Sequence, residues 1–206
     1  MISLFIDTCD TSYIIGILKE KEVIYFFQSE NEKDLSKKLL PKIDEAFKSL
    51  NLSIHCIDKI FVTNGPGSFT GIRVGVTVAK TLAYALQKSL IPVSKLETMT
   101  SGISSDLIVS YIDARRNYVV AGCYDNNLTN VIPDQYRYVE KLKDWINDRE
   151  VTYVSNSNLI ETTIKPKVDL AKIVENHWND EVLSFHSVKP NYLKKTEAEE
   201  NRDKRN

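Results

Sequence analysis

Residues 59–86, KIFVTNGPGSFTGIRVGVTVAKTLAYAL, narrow the choice of fold more than any other stretch of this chain. A β-rich run, Ile60-Phe61-Val62-Thr63, feeds a glycine–proline turn, Gly65-Pro66-Gly67-Ser68, which opens into an apolar helix expected over about 69–87, with Ser68 or Thr70 as its cap. Strand, glycine turn and helix N-terminus in that order can cradle an anion, because backbone N–H groups and the positive end of the helix dipole converge there. The same helix carries Gly71, Gly75, Ala79 and Ala83 at every fourth position, a smooth ridge on which another helix can lie closely. The residues alone leave both readings open, a phosphate site or a docking surface.

Either reading needs a frame, and the rest of the chain supplies one by repetition. ISLFID, SYIIGIL and EVIYFF are strand-like, and Leu35, Leu39, Leu40, Ile43, Ala46, Phe47 and Leu50 form a helical stripe over 34–50. With the strand and helix of 59–86 the order is β-β-β-α-β-α. The second half repeats it. Ile6-Asp7 is followed nine residues after the Asp by Gly16, and Ile112-Asp113 nine residues after the Asp by Gly122. A third strand near 130–133, a helix across 138–146, a strand over 151–155 and a last helix at about 168–178 complete the second unit. Val154-Ser155-Asn156 echoes Val62-Thr63-Asn64. The boundary is expected near 92–104, where Pro92, Gly102 and several serines interrupt the pattern. This divides the chain into residues 1–100, 101–193 and a charged tail, 194–206. A duplicated unit of this kind is the ground plan of the actin-like ATPase superfamily, an α/β fold of two similar subdomains, which by itself fixes no activity.

Composition excludes several function classes. With 27 basic and 28 acidic residues among 206, the net charge of −1 gives no global attraction to nucleic acid, so an RNA role needs a local patch or a partner. Cys9, Cys56 and Cys123 are far apart, odd in number and outside any CxxC spacing, as expected of reduced thiols. The first residues lack a basic leader and reach Asp7 early, and no run approaches the ~20 apolar residues of a membrane span. A cytoplasmic protein without membrane contact is expected. His55, His177 and His186 stand alone, so no metal site is expected.

Nucleotide chemistry has candidates but incomplete ones. Asp7 and Thr8 could hold a hydrated Mg²⁺, or simply cap a hairpin turn. Gly65 and Gly67 could approach a phosphate. Yet neither hairpin tip contains glycine: the second residue after Asp7 is Cys9, and after Asp113 it is Arg115. No GK[ST] follows the glycine turn, and GxGxxG fails at Thr70. Arg115 and Arg116 place two cations at the second turn, for a phosphate, an acidic partner or solvent. The helix at 69–87 is apolar nearly all round and must be covered on every side, by its own chain or by another molecule.

At this point the residues resemble a known family. IDTCDTS, SKKLLPKIDE, NGPGSFTGIRVGVTVAKTLAYAL, IPVSKLETM, YIDARRNYVV and KPNYLKK look like the bacterial TsaB family, formerly YeaZ, over nearly the whole chain. The resemblance implies a non-catalytic relative of the TsaD threonylcarbamoyl transferase. Such a relative supports formation of threonylcarbamoyladenosine beside the tRNA anticodon together with TsaD and the TsaE ATPase. It further implies pairing through the two helices of the first half, as a homodimer when alone or with TsaD, and tRNA contact only through the complex. Carried onto this chain, the pairing surface is expected at Leu35, Leu39, Ile43, Gly71, Arg73, Gly75, Val78 and Ala79. No cofactor is expected beyond ATP or ADP bound weakly. TsaD carries an HxxxH metal pair on the equivalent of the first helix; DLSKKLLPK has no histidine, and Leu35 stands where many TsaB relatives have one. These departures favour a scaffold over an enzyme. The competing expectation is an ATP-dependent enzyme of the actin-like superfamily using Asp7, Gly65 and Gly67.

Overall fold

A computed structural model describes residues 1–29, 34–180 and 185–193. The first half builds strands β1 (Ile2–Asp7), β2 (Ile14–Lys19), β3 (Glu22–Gln28), β4 (Ile57–Thr63) and β5 (Ser89–Val93) into one sheet of order β3-β2-β1-β4-β5. The first three strands are antiparallel neighbours, while β4 and β5 join in parallel. Helix α1 (Leu35–Ser49) and helix α2 (Phe69–Leu86) supply the crossovers. The second half repeats the plan with β6 (Leu107–Arg115), β7 (Tyr118–Asp125), β8 (Asn130–Tyr138) and β9 (Thr152–Val154) in the order β8-β7-β6-β9. Its three antiparallel strands and one parallel strand reproduce the first four strands of the other sheet. The duplicated actin-like fold expected from the sequence is therefore present.

Alternation along the strands decides which helix lies where. Leu4, Ile6, Ile15, Ile17, Ile60 and Val62 point to one face of the first sheet, where Leu39, Ile43 and Phe47 of α1 and Ile72, Val76 and Leu82 of α2 cover them. Phe5, Leu18, Phe61, Ile91 and Val93 point to the other face, which is covered by α5 (Leu170–Asn176) through Leu170, Ile173 and Val174. Gly16 lies in this face because a Cβ there would meet Leu170 Cδ1 at 2.2 Å. The second sheet is treated likewise. Leu142 and Ile146, at the start and just beyond the end of the single-turn α4 (Leu142–Trp145), cover Val109, Tyr111 and Ala121. Helix α3 (Lys95–Thr100) brings Leu96 and Met99 onto Ile108, Val120 and Val154 of the opposite face. Thus α3, from the first hundred residues, packs on the second sheet, and α5, from the later half, packs on the first.

One local expectation changes. The helix expected across 138–146 is shorter: β8 runs on to Tyr138, Val139–Lys141 form a 3₁₀ turn, and the α-helix proper is Leu142–Trp145. Aromatic cross-strand pairing explains this, since Tyr136 and Tyr138 lie opposite Val120 and Tyr118 on β7. The stretch near 92–104 holds the end of the edge strand β5 and then α3, with Pro92 tolerated at the sheet edge and Ser94 capping the helix through the Leu96 amide at 3.1 Å. The tail at 194–206 lies outside the described residues. Among the described residues no helix is long and apolar enough to cross a membrane, and the three cysteines are free thiols.

Candidate functional site

The site expected from the sequence lies where the ends of β1 and β4 meet the glycine turn. Asp7 ends β1, and its carboxylate is completely enclosed. Oδ2 accepts from Lys95 Nζ at 2.6 Å, while Oδ1 accepts from Thr63 Oγ1 at 2.7 Å and the Cys9 amide at 2.9 Å. The Lys95 and Asp7 side chains are 8% and 2% exposed. Burial pushes the Asp7 pKa up, but the charge and hydrogen bond of Lys95 outweigh it and hold the carboxyl below its ordinary range. Burial likewise disfavours the Lys95 ammonium, and Asp7 more than restores it. Burial and the nearby Asp7 charge push the Cys9 thiol up, so Cys9 stays a neutral thiol, its Sγ 3.3 Å from Thr63 Oγ1. Asp7 is thus the anchor of a buried ion pair, with two protein donors on Oδ1 and the Lys95 ammonium on Oδ2. Lys95 was missed as a site residue; its only signal lay in the IPVSKLETM stretch, where a lysine directly after Ser94 opens a short helix.

The glycines of the turn are equally committed to their own chain. Gly67, at φ +153°, lets the turn approach Cys9, whose carbonyl oxygen would sit 2.1 Å from an added Cβ. The Ser68 amide donates to that same oxygen at 2.7 Å, and Ser68 Oγ caps α2 by accepting from Gly71 N. Gly65, at φ +123°, is approached by the carbonyl of Asn191. The segment 185–193 lies across this region as a strap. Asn191 N donates to Asn64 O at 2.6 Å, Asn64 Nδ2 to Lys189 O, Lys80 Nζ to the carbonyls of His186 and Val188, and Tyr192 stacks on Phe69 at 4.8 Å. A phosphate approaching Gly65 would find that space taken by the strap.

The ridge of small residues is largely covered from within the chain. Gly71, Gly75 and Ala79 are buried within the chain. Added Cβ atoms at Gly71 and Gly75 would strike Thr8 O at 2.0 Å and Thr8 Oγ1 at 2.1 Å, and Thr8 Oγ1 donates to Gly71 O at 2.8 Å. Gly71 and Gly75 thus let Thr8 of the first hairpin lie against α2, while Ala79 and Ala83 are buried in the core. Leu39 and Ile43 are also fully buried in the core beneath α1. Of the positions expected to face a partner, Arg73 is exposed and Leu35 and Val78 are partly so. The apolar groups the two helices do present are Leu40 at 45%, Phe69 at 45% and Tyr84 at 60% exposure.

Between the two sheets lies a cleft of about 770 Å³. It is walled by the first hairpin tip (Cys9–Thr11), the glycine turn, Lys95, the end of β6 with Arg115, and Ser155–Ser157. Asp10 Oδ2 accepts from Asn156 Nδ2 at 2.9 Å, joining the two halves. Behind the cleft, Glu97 of α3 receives His177 Nε2 at 2.8 Å and Asn176 Nδ2 at 3.0 Å. Burial disfavours the charged imidazole, but Glu97, helped by Asp180 at 2.6 Å from Nδ1, raises the His177 pKa to about 9. At neutral pH this histidine is a cation clamping α3 to the end of α5.

The comparisons with known proteins agree with one another. The family model matching residues 29–196 is described as TsaD, tRNA N6-adenosine threonylcarbamoyltransferase. The tRNA threonylcarbamoyladenosine biosynthesis protein TsaB of Bacillus subtilis is 32% identical over 224 residues, covering 97% of this chain and 96% of that protein. The Escherichia coli protein of the same name is 28% identical over 120 residues, 56% of this chain and 52% of its own length. Among solved structures, YeaZ from Pseudomonas aeruginosa superposes with a TM-score of 0.81 over 93% of this chain and 99% of that one, at 20% identity, which establishes a shared fold.

Proposed function

Because this chain belongs to the TsaB family, and so to the biosynthesis of threonylcarbamoyladenosine in tRNA, we propose that it serves there as a non-catalytic partner of a TsaD-type transferase. The observation that carries this reading is the Asp7–Lys95 pair. A carboxylate placed to hold a metal beside a nucleotide instead accepts from a buried ammonium 2.6 Å away. A lysine in that place supplies the positive charge that the metal would bring, without bringing phosphate with it. The glycine turn adds to this, its close approaches being made to Cys9 and Asn191 rather than to open space.

The pairing surface in this reading is the outer side of α1 and α2, but not the ridge of small residues. Leu40 and Arg73 are its accessible members, and Leu35 and Val78 lie at its margin. The occupant is the transferase, or a second copy of this chain when the transferase is absent, in a cytoplasmic complex that a TsaE-type ATPase joins. Leu40→Arg should abolish co-purification with the transferase and the modified nucleoside in tRNA from a depleted strain, with the urea midpoint unchanged. Full modification by that variant together with undiminished pairing would refute the placement. The cleft of about 770 Å³ favours a second reading, in which the chain itself binds nucleotide. In the partner reading ATP or ADP binds weakly at most. Titration calorimetry with Mg-ATP separates the two: micromolar binding that is lost in Asp7→Ala would restore the enzyme.

A further inference from the structure

The second half carries a surface that the partner reading leaves unused. Its β6–β7 hairpin turns through Arg115, Arg116 and Asn117, all three at positive φ (69°, 54° and 62°). Asparagine tolerates that conformation, but an arginine in it costs about 1–2 kcal/mol relative to the right-handed region, a cost that glycine avoids. The turn therefore keeps two cationic side chains where the backbone favours none. Both residues are exposed, and among the described residues neither guanidinium makes an ion pair. The nearest acid in sequence, Asp113, directs Oδ1 to the Arg115 amide at 2.7 Å, in the backbone of the turn.

Directly beside this turn three tyrosines share one face, Tyr118 exposed and Tyr136 and Tyr138 half-buried, with Tyr136 packing against the Val120 cluster at its inner end. Tyr118 opens β7 at 37% exposure, its ring lying parallel to that of Tyr136 with centroids 4.8 Å apart and planes 4° from coincidence. Tyr138 meets the same ring edge-on at 5.2 Å. Registers of Tyr118 with Tyr138 and of Val120 with Tyr136 put all three tyrosines on the face that carries Val120. Val120 and Arg115 line the cleft, so the tyrosine face adjoins the cleft wall. Aromatic rings on a sheet flanked by arginines are the arrangement on which unpaired bases stack while their phosphates meet cations. With a net charge of −1, the molecule has no general attraction to nucleic acid, so contact runs through a partner or through a local patch of this kind.

We propose that Tyr118, Tyr136 and Tyr138 together with Arg115 and Arg116 form a docking surface for single-stranded RNA, occupied by an unpaired loop of the tRNA whose modification this family supports. The inference rests on that tRNA role but not on the absence of catalysis. Its probes are a labelled 17-nucleotide anticodon stem-loop and a fully paired RNA of equal charge. Both are titrated by fluorescence anisotropy against the full chain, alone and with its transferase. Wild-type protein should prefer the loop. Replacing Tyr118 and Tyr136 together by alanine should weaken loop binding about 10-fold or more, since each stacked base contributes about 1–3 kcal/mol; the corresponding phenylalanine pair should stay within about 2-fold. Arg115→Gly with Arg116→Gly, which relieves the strained turn and so preserves the fold, should flatten the slope of log K against log salt by about 0.7 for each phosphate lost. Equal affinity for paired RNA, an unchanged salt slope in the glycine variant, or unchanged binding by a folded alanine pair would overturn the proposal. So would an alanine pair that loses the transferase while keeping RNA. Because Leu40→Arg tests partner assembly on a different face, failure here leaves that result standing.

Discussion

Two buried charges decide the character of the site. Removing one partner of the Asp7–Lys95 pair leaves an uncompensated ion in the core, for which ~3–5 kcal/mol is typical. Lys95→Met should therefore lower the unfolding free energy in urea by about that amount, and adding Asp7→Asn should recover more than 1 kcal/mol of it. If the two substitutions simply add, the pair is not a unit. His177 sets a pH dependence of definite sign. Its folded pKa of about 9 lies above the unfolded value near 6.5, so its contribution is complete below pH 6.5 and is lost as pH rises through 9. Burial at 16% side-chain exposure makes this worth roughly 2–3 kcal/mol. Urea midpoints measured from pH 6 to 9.5 should fall over that window in the wild type and stay nearly level in His177→Gln. Asp7 acts in the opposite direction, its depressed pKa withdrawing stability only as pH falls below the ordinary carboxylate range. Little of this residue-level chemistry was legible in the sequence. Asp7 stood out because it ends a strand before a turn, but Lys95 is 88 positions away and nothing in spacing joins them.

At the scale of the element, α2 shows that a correct periodicity does not name the neighbour it serves. The four-residue spacing of Gly71, Gly75, Ala79 and Ala83 does mark a close approach, and the helix itself runs over Phe69–Leu86 as its apolar pattern required. Periodicity reports that something lies close, not whether it belongs to the same chain. The two glycines can be told apart by experiment. Gly75→Ala strikes the Thr8 hydroxyl, and overpacking of that kind costs ~1–3 kcal/mol; combining it with Thr8→Ala should remove part of the penalty, a coupling of about 1 kcal/mol or more in a double-mutant cycle. Gly71→Ala strikes the Thr8 carbonyl, which belongs to the backbone, and the same second substitution should give no relief. Other elements were legible to different degrees. Strands β1, β2 and β3 announced themselves by apolar runs between turn residues. The end of β8 did not, because Asp134, Gln135 and Arg137 among its tyrosines dilute the pattern and only cross-strand pairing with β7 holds it extended.

On the scale of the whole molecule, the duplication was readable from matched order and spacing, and the second sheet reproduces the first four strands of the first. What could not be read was the exchange of α3 and α5, since a helix six or seven residues long carries no label for the sheet it will cover. The strap at 185–193 was similarly hidden, its residues appearing only as a terminal motif although they close the side of α2 that remained apolar. Replacing Lys80 by methionine removes the donor to the carbonyls of His186 and Val188. Amide hydrogen exchange across 185–193 should then quicken at least several-fold, while the amides of β1 and β4 keep their protection. Equal acceleration throughout would mean that the strap is not a separable unit.

The crossed helices carry a consequence for how such a protein can be made at all. A ribosome that has released only the first hundred residues has delivered a sheet with Phe5, Phe61 and Ile91 bare on one side, because the helix destined to shield them is still unsynthesised. The same nascent chain already holds a short amphipathic segment whose intended surface does not yet exist. Neither portion can reach its mature form ahead of the other, so splitting the gene between them should yield two sticky fragments that become soluble only when produced together.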